Sequence, residues 1–398
     1  MRAIRYYGPG DVRLDEIPEP RVGDRQVKIK AFTFCLNGIC GSDLHAWDAL
    51  LPVTPTHTEP HVVTGETLPI VMGHEMSGTI VEVGSQVNTS RLKAGVNVVV
   101  EPILACRKAA CSPCQEGTRN VCPHITFIGL GGGGGGLSEY IVVDEDLVQV
   151  LPDGVPLEFG ALMEPLAVSW HAVKRSGIKA GDKVLILGGG PVSRTFVVGL
   201  KLFGASWIAL SEPALKRREL ATSQGADVVY DPTSPGLDVV EAVREATGTR
   251  RGADIVFDCA GTQRTLDAAF QAVRPRGSVV NVAIWDHKPL LDIGAITLKE
   301  ITFTGVISFD RVHNDMLKAV AEGKFNGIEN IITRRIGLED FVEKGIKALV
   351  NEKDEQGESY NVSSGKGSPT VLIGILDETL QSRYWFILVP GDLHRTGI

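Results

Sequence analysis

Short runs that alternate apolar and polar residues fill the first 150 positions of the chain. Examples are "RQVKIKAF" at 25–32, "SGTIVEVG" at 77–84 and "VNVVVEP" at 96–102, with turn residues between them. This alternation places one side of each run in a core and the other in solvent, as in half-buried strands. Six glycines at 131–136 precede another such run and predict a flexible or tightly turning loop. This part of the chain is therefore predicted to be β-rich.

The pattern changes after about residue 160. The stretch "ALMEPLAVSWHAVKRSG" at 161–177 has helical periodicity and ends in a glycine stop at Gly177. Near-continuous apolar runs then alternate with helical segments, which indicates a parallel sheet covered by helices on both faces. We predict an α/β fold with a doubly wound dinucleotide-binding domain whose six strands are "KVLILG", "SWIALSE", "ADVVYD", "DIVFDCAG", "GSVVNVAI" and "ITFTGV".

Two amphipathic helices are predicted beyond this sheet, in "HNDMLKAVAEGK" at 313–324 and "LEDFVEKGIKALV" at 338–350. The polar stretch 351–370 predicts a mobile or disordered loop, and the pattern assigns no structure to 371–398. The predicted layout is a β-rich domain at 1–160, a nucleotide domain at 161–305, a segment at 306–350 that returns to the first domain, and a tail at 351–398.

Composition narrows the functional classes. The 398 residues are 43% hydrophobic and 22% charged, as in soluble globular proteins of about two domains. A formal net charge of −8 gives no support for a nucleic acid or an anionic membrane as partner. The first residues lack the apolar region of a secretory signal, and no apolar run is long enough to span a bilayer. We expect a cytoplasmic protein that acts on a small molecule.

A glycine-rich turn joins the first predicted strand of the nucleotide domain to a helix, in "KVLILGGGPVS" at 183–193. Such a turn brings backbone N–H groups and a helix N-terminus close to a pyrophosphate. Gly188 would make the tight turn and Gly190 would let the backbone approach. Pro191 and Val192 are further candidate contacts of the cofactor, before the predicted helix "RTFVVGLKLFG". Ser193 stands where the G-x-G-x-x-G pattern has its third glycine. A glycine-rich turn without a nucleotide is the alternative.

An acidic residue, Glu212, closes the next predicted strand 24 positions after Gly188. A carboxylate there hydrogen-bonds the ribose hydroxyls and repels a 2′-phosphate, which favours NAD over NADP. Arg217 and Arg218 follow closely and weaken this preference. Arg217 is also a candidate contact of the cofactor.

Four of the seven cysteines lie within 17 residues. Cys111, Cys114 and Cys122 have C-x2-C-x7-C spacing, and Cys106 lies upstream. Four thiolates close a tetrahedral site with no open position, which describes a structural zinc site. The alternative is four unrelated reduced cysteines.

A second metal-ligand set is spread along the chain. Cys40 lies in "GICGSDLHAW", His74 and Glu75 are adjacent in "VMGHEM", and Glu164 falls on the predicted first turn of a helix. A catalytic zinc takes three such ligands and keeps one position open. Cys40, His74 and Glu164 would supply them, with Glu75 as a further or alternating ligand. Each of these residues taken singly could instead be packed in a core.

These motifs together resemble the zinc-dependent medium-chain alcohol and polyol dehydrogenases over about residues 1–350. The resemblance is carried by "GICGSDLH", "GHEMSGTIVEVG", the cysteine cluster, "EPLAVSWHAV" and "LGGGPV". Within the family the chain is most similar to butanediol dehydrogenases, with sorbitol dehydrogenases as close relatives. The segment "PHVVTGETLPIVMGHE" at 60–75 favours the butanediol branch.

The resemblance implies a GroES-like catalytic domain followed by a Rossmann domain, and an NAD-dependent oxidation of a secondary alcohol or vicinal diol, such as 2,3-butanediol to acetoin. It implies that Cys40, His74 and Glu164 surround the catalytic zinc, with Glu75 beside them. It also implies three supporting roles: Asp43 orients the histidine ligand, Ser42 takes the substrate proton, and His45 passes it towards solvent. A homodimer or homotetramer, associating through the edge of the nucleotide-domain sheet, is expected on the same ground.

Several features depart from the family pattern. The family has a cysteine three residues before Cys111, where this chain has Lys108, and Cys106 lies two residues further back. The segment "AFTFCLN" at 31–37 is longer than usual, and the chains of family members normally end soon after the position of residue 350.

Trp47, Phe127 and Ile284 are candidates to line the substrate pocket. A sorbitol or xylitol dehydrogenase and a non-catalytic nucleotide-binding protein are the competing functions.

Overall fold

The computed structural model describes residues 1–30, 37–248, 252–285, 287–325, 328, 332–351 and 370–374. The alternating runs of the first part pair into antiparallel sheets. A five-stranded sheet has the order Tyr140–Asp144, Gln26–Lys30, Ser77–Val83, Asn97–Val100, Val148–Val150. A three-stranded sheet has the order Asp11–Glu16, Arg2–Gly8, Ile70–Val71, and a pair is formed by Ile103–Leu104 and Thr126–Phe127. The prediction of a β-rich first domain is confirmed.

The six apolar runs of the second part form one parallel sheet, as predicted. Its order is Val228–Tyr230, Trp207–Ser211, Lys183–Leu187, Ala253–Asp258, Val273–Asn281, Thr302–Gly305. The first strand in sequence, Lys183–Leu187, lies in the middle and pairs with Trp207–Ser211 on one side and Ala253–Asp258 on the other. The strand order reverses at this point, so a crevice opens at the carboxyl ends of the central strands, where doubly wound folds bind ligands.

Helices accompany the strands in both parts of the chain. The predicted helix with Glu164 in its first turn is Met163–Arg175. The other α-helices are Gly41–Asp48, Ser112–Glu116, Leu157–Ala161, Pro191–Leu202, Leu215–Ser223, Val239–Ala246, Gln263–Ala272, Ile293–Lys299, His313–Ala321 and Lys347–Asn351. Short 3₁₀ turns span Arg119–Val121, Glu145–Leu147 and Leu338–Asp340. Among the described residues, none of these helices has the length and apolar character needed to cross a bilayer.

The predicted amphipathic α-helix at 338–350 is wrong in its type. The chain passes from a 3₁₀ turn into a π-helix, Phe341–Ile346, and only then into an α-helix. The wider i→i+5 turn brings Phe341 and Ile346 into one core, where both are fully buried. That core contains Ile4 and Leu44, so this segment packs on the first domain.

Residues 370–374, to which the sequence pattern assigned no structure, form a strand. Thr370–Gly374 pairs antiparallel with Ile332–Gly337 and parallel with Asn37–Ile39. The strand therefore completes a small sheet that leads directly into Cys40. The loop predicted for 351–370 falls almost entirely outside the described residues, as do residues 31–36 of the long segment "AFTFCLN".

Candidate active site and metal centres

Cys40 stands where a strand ends and the helix Gly41–Asp48 begins. Its backbone N–H donates to Asp43 Oδ2 at 2.9 Å, which fixes the first turn of the helix beneath the thiol. Gly38 is required just before it, because a Cβ there would lie 1.6 Å from Glu75 Oε2. Because Gly38 has no side chain, the Glu75 carboxylate can lie over the backbone there and next to the Cys40 thiol.

Three of the four predicted ligands of the catalytic zinc lie together. The ligand atoms of Cys40, His74 and Glu75 are all within 4.8 Å of one another. Glu164 is not part of this compact group but lines the same cavity, and its charge acts on the pKa of Cys40. The structure therefore brings His74 and Glu75, which are adjacent in sequence, to Cys40, and leaves Glu164 beside them.

Burial dominates the electrostatics of this cluster. It raises the pKa of Glu75 to about 7 and that of Glu164 to about 8. Burial also raises the pKa of the Cys40 thiol well above its usual value, and the charges of Glu75 and Glu164 add to this effect. The pKa of Asp43 is likewise raised by burial.

Four acidic groups beside one imidazole cannot all ionise without a cation, and thiolate, imidazole and carboxylate are the donors that zinc prefers. The residues present fit a zinc ion.

The three predicted supporting residues lie on one helix. Ser42 Oγ is 3.1 Å from His74 Nε2, and Asp43 Oδ1 is 3.7 Å from His74 Nδ1. Burial lowers the pKa of His74, but the charges of Asp43, Glu164 and Glu75 outweigh it and raise the pKa overall. His45 follows Ser42 by three residues, so the two side chains share a helix face, and both line the cavity.

The four clustered cysteines also meet in space. Sulfur separations are 3.8 Å for Cys106–Cys114, 3.9 Å for Cys111–Cys122 and 3.6 Å for Cys122–Cys106. Zn–S bonds of about 2.3 Å in a tetrahedron imply sulfur separations of about 3.8 Å, so the group has the size of a zinc site. Arg107 adopts a left-handed φ of 50°, which turns the chain so that Cys106 reaches the other three cysteines. Lys108, at the position where the family has a cysteine, is not part of the group.

The cavity beside these residues extends to the glycine-rich turn and has a volume of about 1070 Å³. Gly188, with a φ of 99°, and Gly190 line it. The helix begins at Pro191, ahead of the predicted start at Arg194, so Pro191 and Val192 belong to its first turn. Ser193, at the position of the third glycine, is 1% exposed, so its side chain is accommodated between helix and sheet.

Glu212 lies at the far end of the cavity and is held by the turn itself. Its Oε2 accepts a hydrogen bond from the Gly189 N–H at 2.6 Å, and its Oε1 accepts one from Ala214 at 2.9 Å. Arg217 Nη1 lies 3.6 Å from Glu212 Oε2 and lines the same pocket. The sequence analysis missed Gly189, where a Cβ would lie 2.7 Å from Glu212 Cγ. The middle glycine of the "GGG" run was the available signal.

Of the three candidates for the substrate pocket, two line the cavity. Phe127 and Ile284 lie on its wall, whereas Trp47 packs against the hydrophobic core of the first domain. Other apolar residues of the cavity wall could not be recognised from the sequence, because they come from separate loops. They include Leu51, Val53, Leu130, Leu162, Val306 and Ile307.

Comparison with known proteins places these features in one family. Residues 23–153 match the alcohol dehydrogenase GroES-like domain, and residues 191–322 match the zinc-binding dehydrogenase domain. The (R,R)-butanediol dehydrogenase of Neisseria gonorrhoeae is 38% identical over 356 residues, which cover 89% of this chain and 97% of that protein. The chain belongs to the zinc-binding alcohol dehydrogenase family.

More distant relatives and solved structures agree with this assignment. A crystal structure of 2R,3R-butanediol dehydrogenase from Bacillus subtilis matches with a TM-score of 0.80 at 36% identity, over 94% of this chain and 99% of that one. A probable D-xylulose reductase A of Neosartorya fischeri is 31% identical over 93% of this chain and 96% of that protein. The family resemblance found in the sequence is confirmed. The chain is an oxidoreductase of the zinc- and nicotinamide-dependent type that acts on CH–OH groups.

Substitution of one clustered cysteine tests the second metal site. We expect Cys111→Ser to lower the zinc content by one ion per chain and to reduce the thermal unfolding temperature, because a structural zinc site contributes directly to folding. Elemental analysis of the purified protein measures the zinc. The matched control is Cys259→Ser, which removes a thiol outside both groups and should keep the zinc content. Equal zinc in Cys111→Ser and in the unchanged protein would contradict the assignment.

Proposed function

We propose that this enzyme oxidises a vicinal diol to the hydroxyketone with NAD, 2,3-butanediol to acetoin being the physiological pair, and that it also catalyses the reverse reaction. One observation carries the proposal: a single cavity joins the Cys40, His74 and Glu75 group, the glycine-rich turn and an apolar wall. The similarity to butanediol dehydrogenases, at 38% identity, supports the same substrate.

Zinc held by Cys40 and His74, with Glu164 or Glu75, would supply a Lewis acid that lowers the pKa of an alcohol hydroxyl, and NAD would supply a hydride acceptor. The chain's own residues move the proton. Ser42 Oγ faces the cavity beside His74 and accepts the proton released by the substrate hydroxyl. His45, on the same helix face, receives it from Ser42 and releases it towards solvent.

The remaining residues of the cavity orient the two reactants. Gly190 and the start of the helix Pro191–Leu202 would bring backbone N–H groups to the pyrophosphate, whereas the N–H groups of Gly188 and Gly189 already donate to the Ser211 carbonyl and to Glu212. Glu212 accepts hydrogen bonds from the adenosine ribose. Glu164, beside the ligand group rather than in it, is placed to accept a hydrogen bond from the second hydroxyl of a diol, which gives a preference for diols over simple alcohols.

The character of the wall favours a short diol over a polyol. The cavity that contains the ligand group is lined by many apolar side chains, among them those of Leu51, Val53, Phe127, Leu130 and Ile284. Each hydroxyl of a longer polyol that is buried against such a wall without a partner costs about 1–3 kcal/mol. Methyl groups at both ends of a diol fit the same surface favourably. The apolar wall therefore favours butanediol over the polyol that the xylulose reductase relative suggests.

Turnover with defined substrates tests the proposal directly. Reduction of NAD, followed at 340 nm with the zinc-loaded enzyme, should be faster with one stereoisomer of 2,3-butanediol than with sorbitol or xylitol by about tenfold or more in kcat/KM. A zinc chelator should abolish it. Turnover of polyols alone would assign the chain to the polyol branch. A folded, zinc-loaded protein with no turnover would identify a non-catalytic nucleotide-binding protein.

The cofactor preference depends on Glu212. Removing its charge in Glu212→Gln should raise the ratio of kcat/KM for NADP to that for NAD by about tenfold to a hundredfold, since the repulsion of a 2′-phosphate disappears and Arg217 remains close by. Steady-state kinetics with both cofactors measure the ratio. Glu219→Gln, an exposed change on the helix that carries Arg217, is the control and should leave this ratio unaltered. An unchanged ratio in Glu212→Gln would remove Glu212 from the cofactor site.

We further propose that the enzyme is a cytoplasmic homodimer. The described part of the sheet ends at the edge strand Thr302–Gly305, and apolar side chains lie exposed beside it: Phe303 is 37% exposed and Leu298 is 89% exposed. A second copy related by a twofold axis would pair this edge and cover these residues. The four-thiolate group requires a reducing compartment, which agrees with the cytoplasm.

A charge placed on this face tests the dimer. Leu298→Asp should convert the dimer to a monomer in sedimentation equilibrium, because a carboxylate would be buried unpaired in the interface. Leu215→Asp adds the same charge at another exposed leucine and should leave the mass unchanged. A monomer in the unaltered protein would refute the dimer.

A further inference from the structure

Two sequence motifs that the reaction leaves unexplained meet in the structure. These are the six glycines at 131–136 and the segment 60–75, which ends in the histidine and glutamate of the ligand group and is called the ligand segment below. Thr64 Oγ1 donates to the Gly131 carbonyl at 2.7 Å, and the Gly133 N–H donates to Glu66 Oε1 at 2.9 Å. We call this pair of hydrogen bonds the latch. It joins the segment to the glycine loop near the protein surface.

The glycine loop is a tight turn rather than a flexible tether. Gly132, Gly133 and Gly134 have φ values of 97°, 77° and 81°, in the left-handed region that favours glycine. Gly131 and Gly132 are buried. The chain therefore reverses within a few residues, and the hydrogen bonds of the latch hold it in that shape.

One end of the loop presses against the ligand segment. A Cβ at Gly135 would lie 2.2 Å from the Met72 carbonyl oxygen, and the Gly136 N–H donates to the Gly73 carbonyl at 2.9 Å. Gly73 immediately precedes His74. The main chain of the glycine loop therefore contacts the main chain just before His74 directly, with no side chain between them.

The other end of the loop builds the substrate wall. The Gly131 N–H donates to the Phe127 carbonyl at 2.9 Å, and Thr126 Oγ1 donates to the Val53 carbonyl at 2.8 Å. Phe127 and Val53 both line the cavity, as does Leu130 at the start of the loop. A single rigid turn therefore links the apolar wall to the ligand segment.

We propose that Thr64 and Glu66 are positioning residues that determine substrate chain length. By closing the glycine loop, the latch fixes the distance between the apolar wall and the ligand segment, and so limits productive binding to diols with short carbon ends. The inference rests on the proposed diol oxidation and names a determinant of its specificity. Glu66 is exposed, so the latch can be opened without disturbing the buried core.

The test opens the latch and measures chain-length selectivity. The double variant Thr64→Val with Glu66→Ala removes both hydrogen bonds and should raise the ratio of kcat/KM for 3,4-hexanediol to that for 2,3-butanediol by about tenfold. The conservative pair Thr64→Ser with Glu66→Gln retains a hydroxyl donor and a carbonyl acceptor, and should keep the original ratio. Glu59→Ala, an exposed change just before the ligand segment, is the matched control.

Hydrogen exchange supplies a readout that does not depend on turnover. Amides within 126–136 should exchange faster in the double variant than in the unaltered protein and in the conservative pair, while zinc content stays the same. An unchanged selectivity ratio in the folded double variant, or unchanged exchange in this loop, would overturn the latch. An equal shift in Glu59→Ala would do so too. Absence of diol turnover in the unaltered enzyme would instead refute the proposed function, and the exchange measurement would still decide the latch.

Discussion

The structure depends on the compensation of negative charge in one buried place. Cys40, Asp43, Glu75 and Glu164 converge around His74 and come from separate elements: the start of one helix, the loop before a strand and the first turn of another helix. Burial raises the pKa of each acidic group, which means that it favours the protonated, uncharged forms when no cation is bound. A divalent cation removes this conflict and ties the three elements together. The donor set and the compact geometry of Cys40, His74 and Glu75 are what zinc requires.

The second constraint is that segments of main chain must approach each other closely, and it follows from the first. Ligands from distant parts of the sequence can reach one metal ion only if no side chain keeps their segments apart. Gly38 allows the Glu75 carboxylate to cross the strand before Cys40, and Gly189 allows Glu212 to lie against the nucleotide turn. The glycine loop does the same for the segment before His74. In all three places a methyl group would displace a functional side chain or the backbone that carries it.

Periodicity predicted the parts of the fold that repeat. The six strands of the nucleotide domain are near-continuous apolar runs with clear boundaries, and the helix that carries Glu164 has an unbroken helical period. The cysteine group was predictable because its members lie close in sequence. Contacts between distant segments leave no such pattern. Nothing in "TVLIG" indicated pairing with Asn37–Ile39, and nothing in "VTGET" indicated the hydrogen bond from Gly133 to Glu66. The π-turn at Phe341–Ile346 was read as α-helix because both place apolar residues on one side.

We expect a zinc ion in the Cys40, His74 and Glu75 cluster as well as in the cysteine group. Anomalous scattering from crystals, recorded on both sides of the zinc absorption edge, locates each ion directly. Two peaks per chain are expected, one enclosed by Cys106, Cys111, Cys114 and Cys122 and one bonded to Cys40 Sγ and His74 Nε2. A single peak at the four cysteines, in crystals grown from zinc-loaded protein, would contradict it.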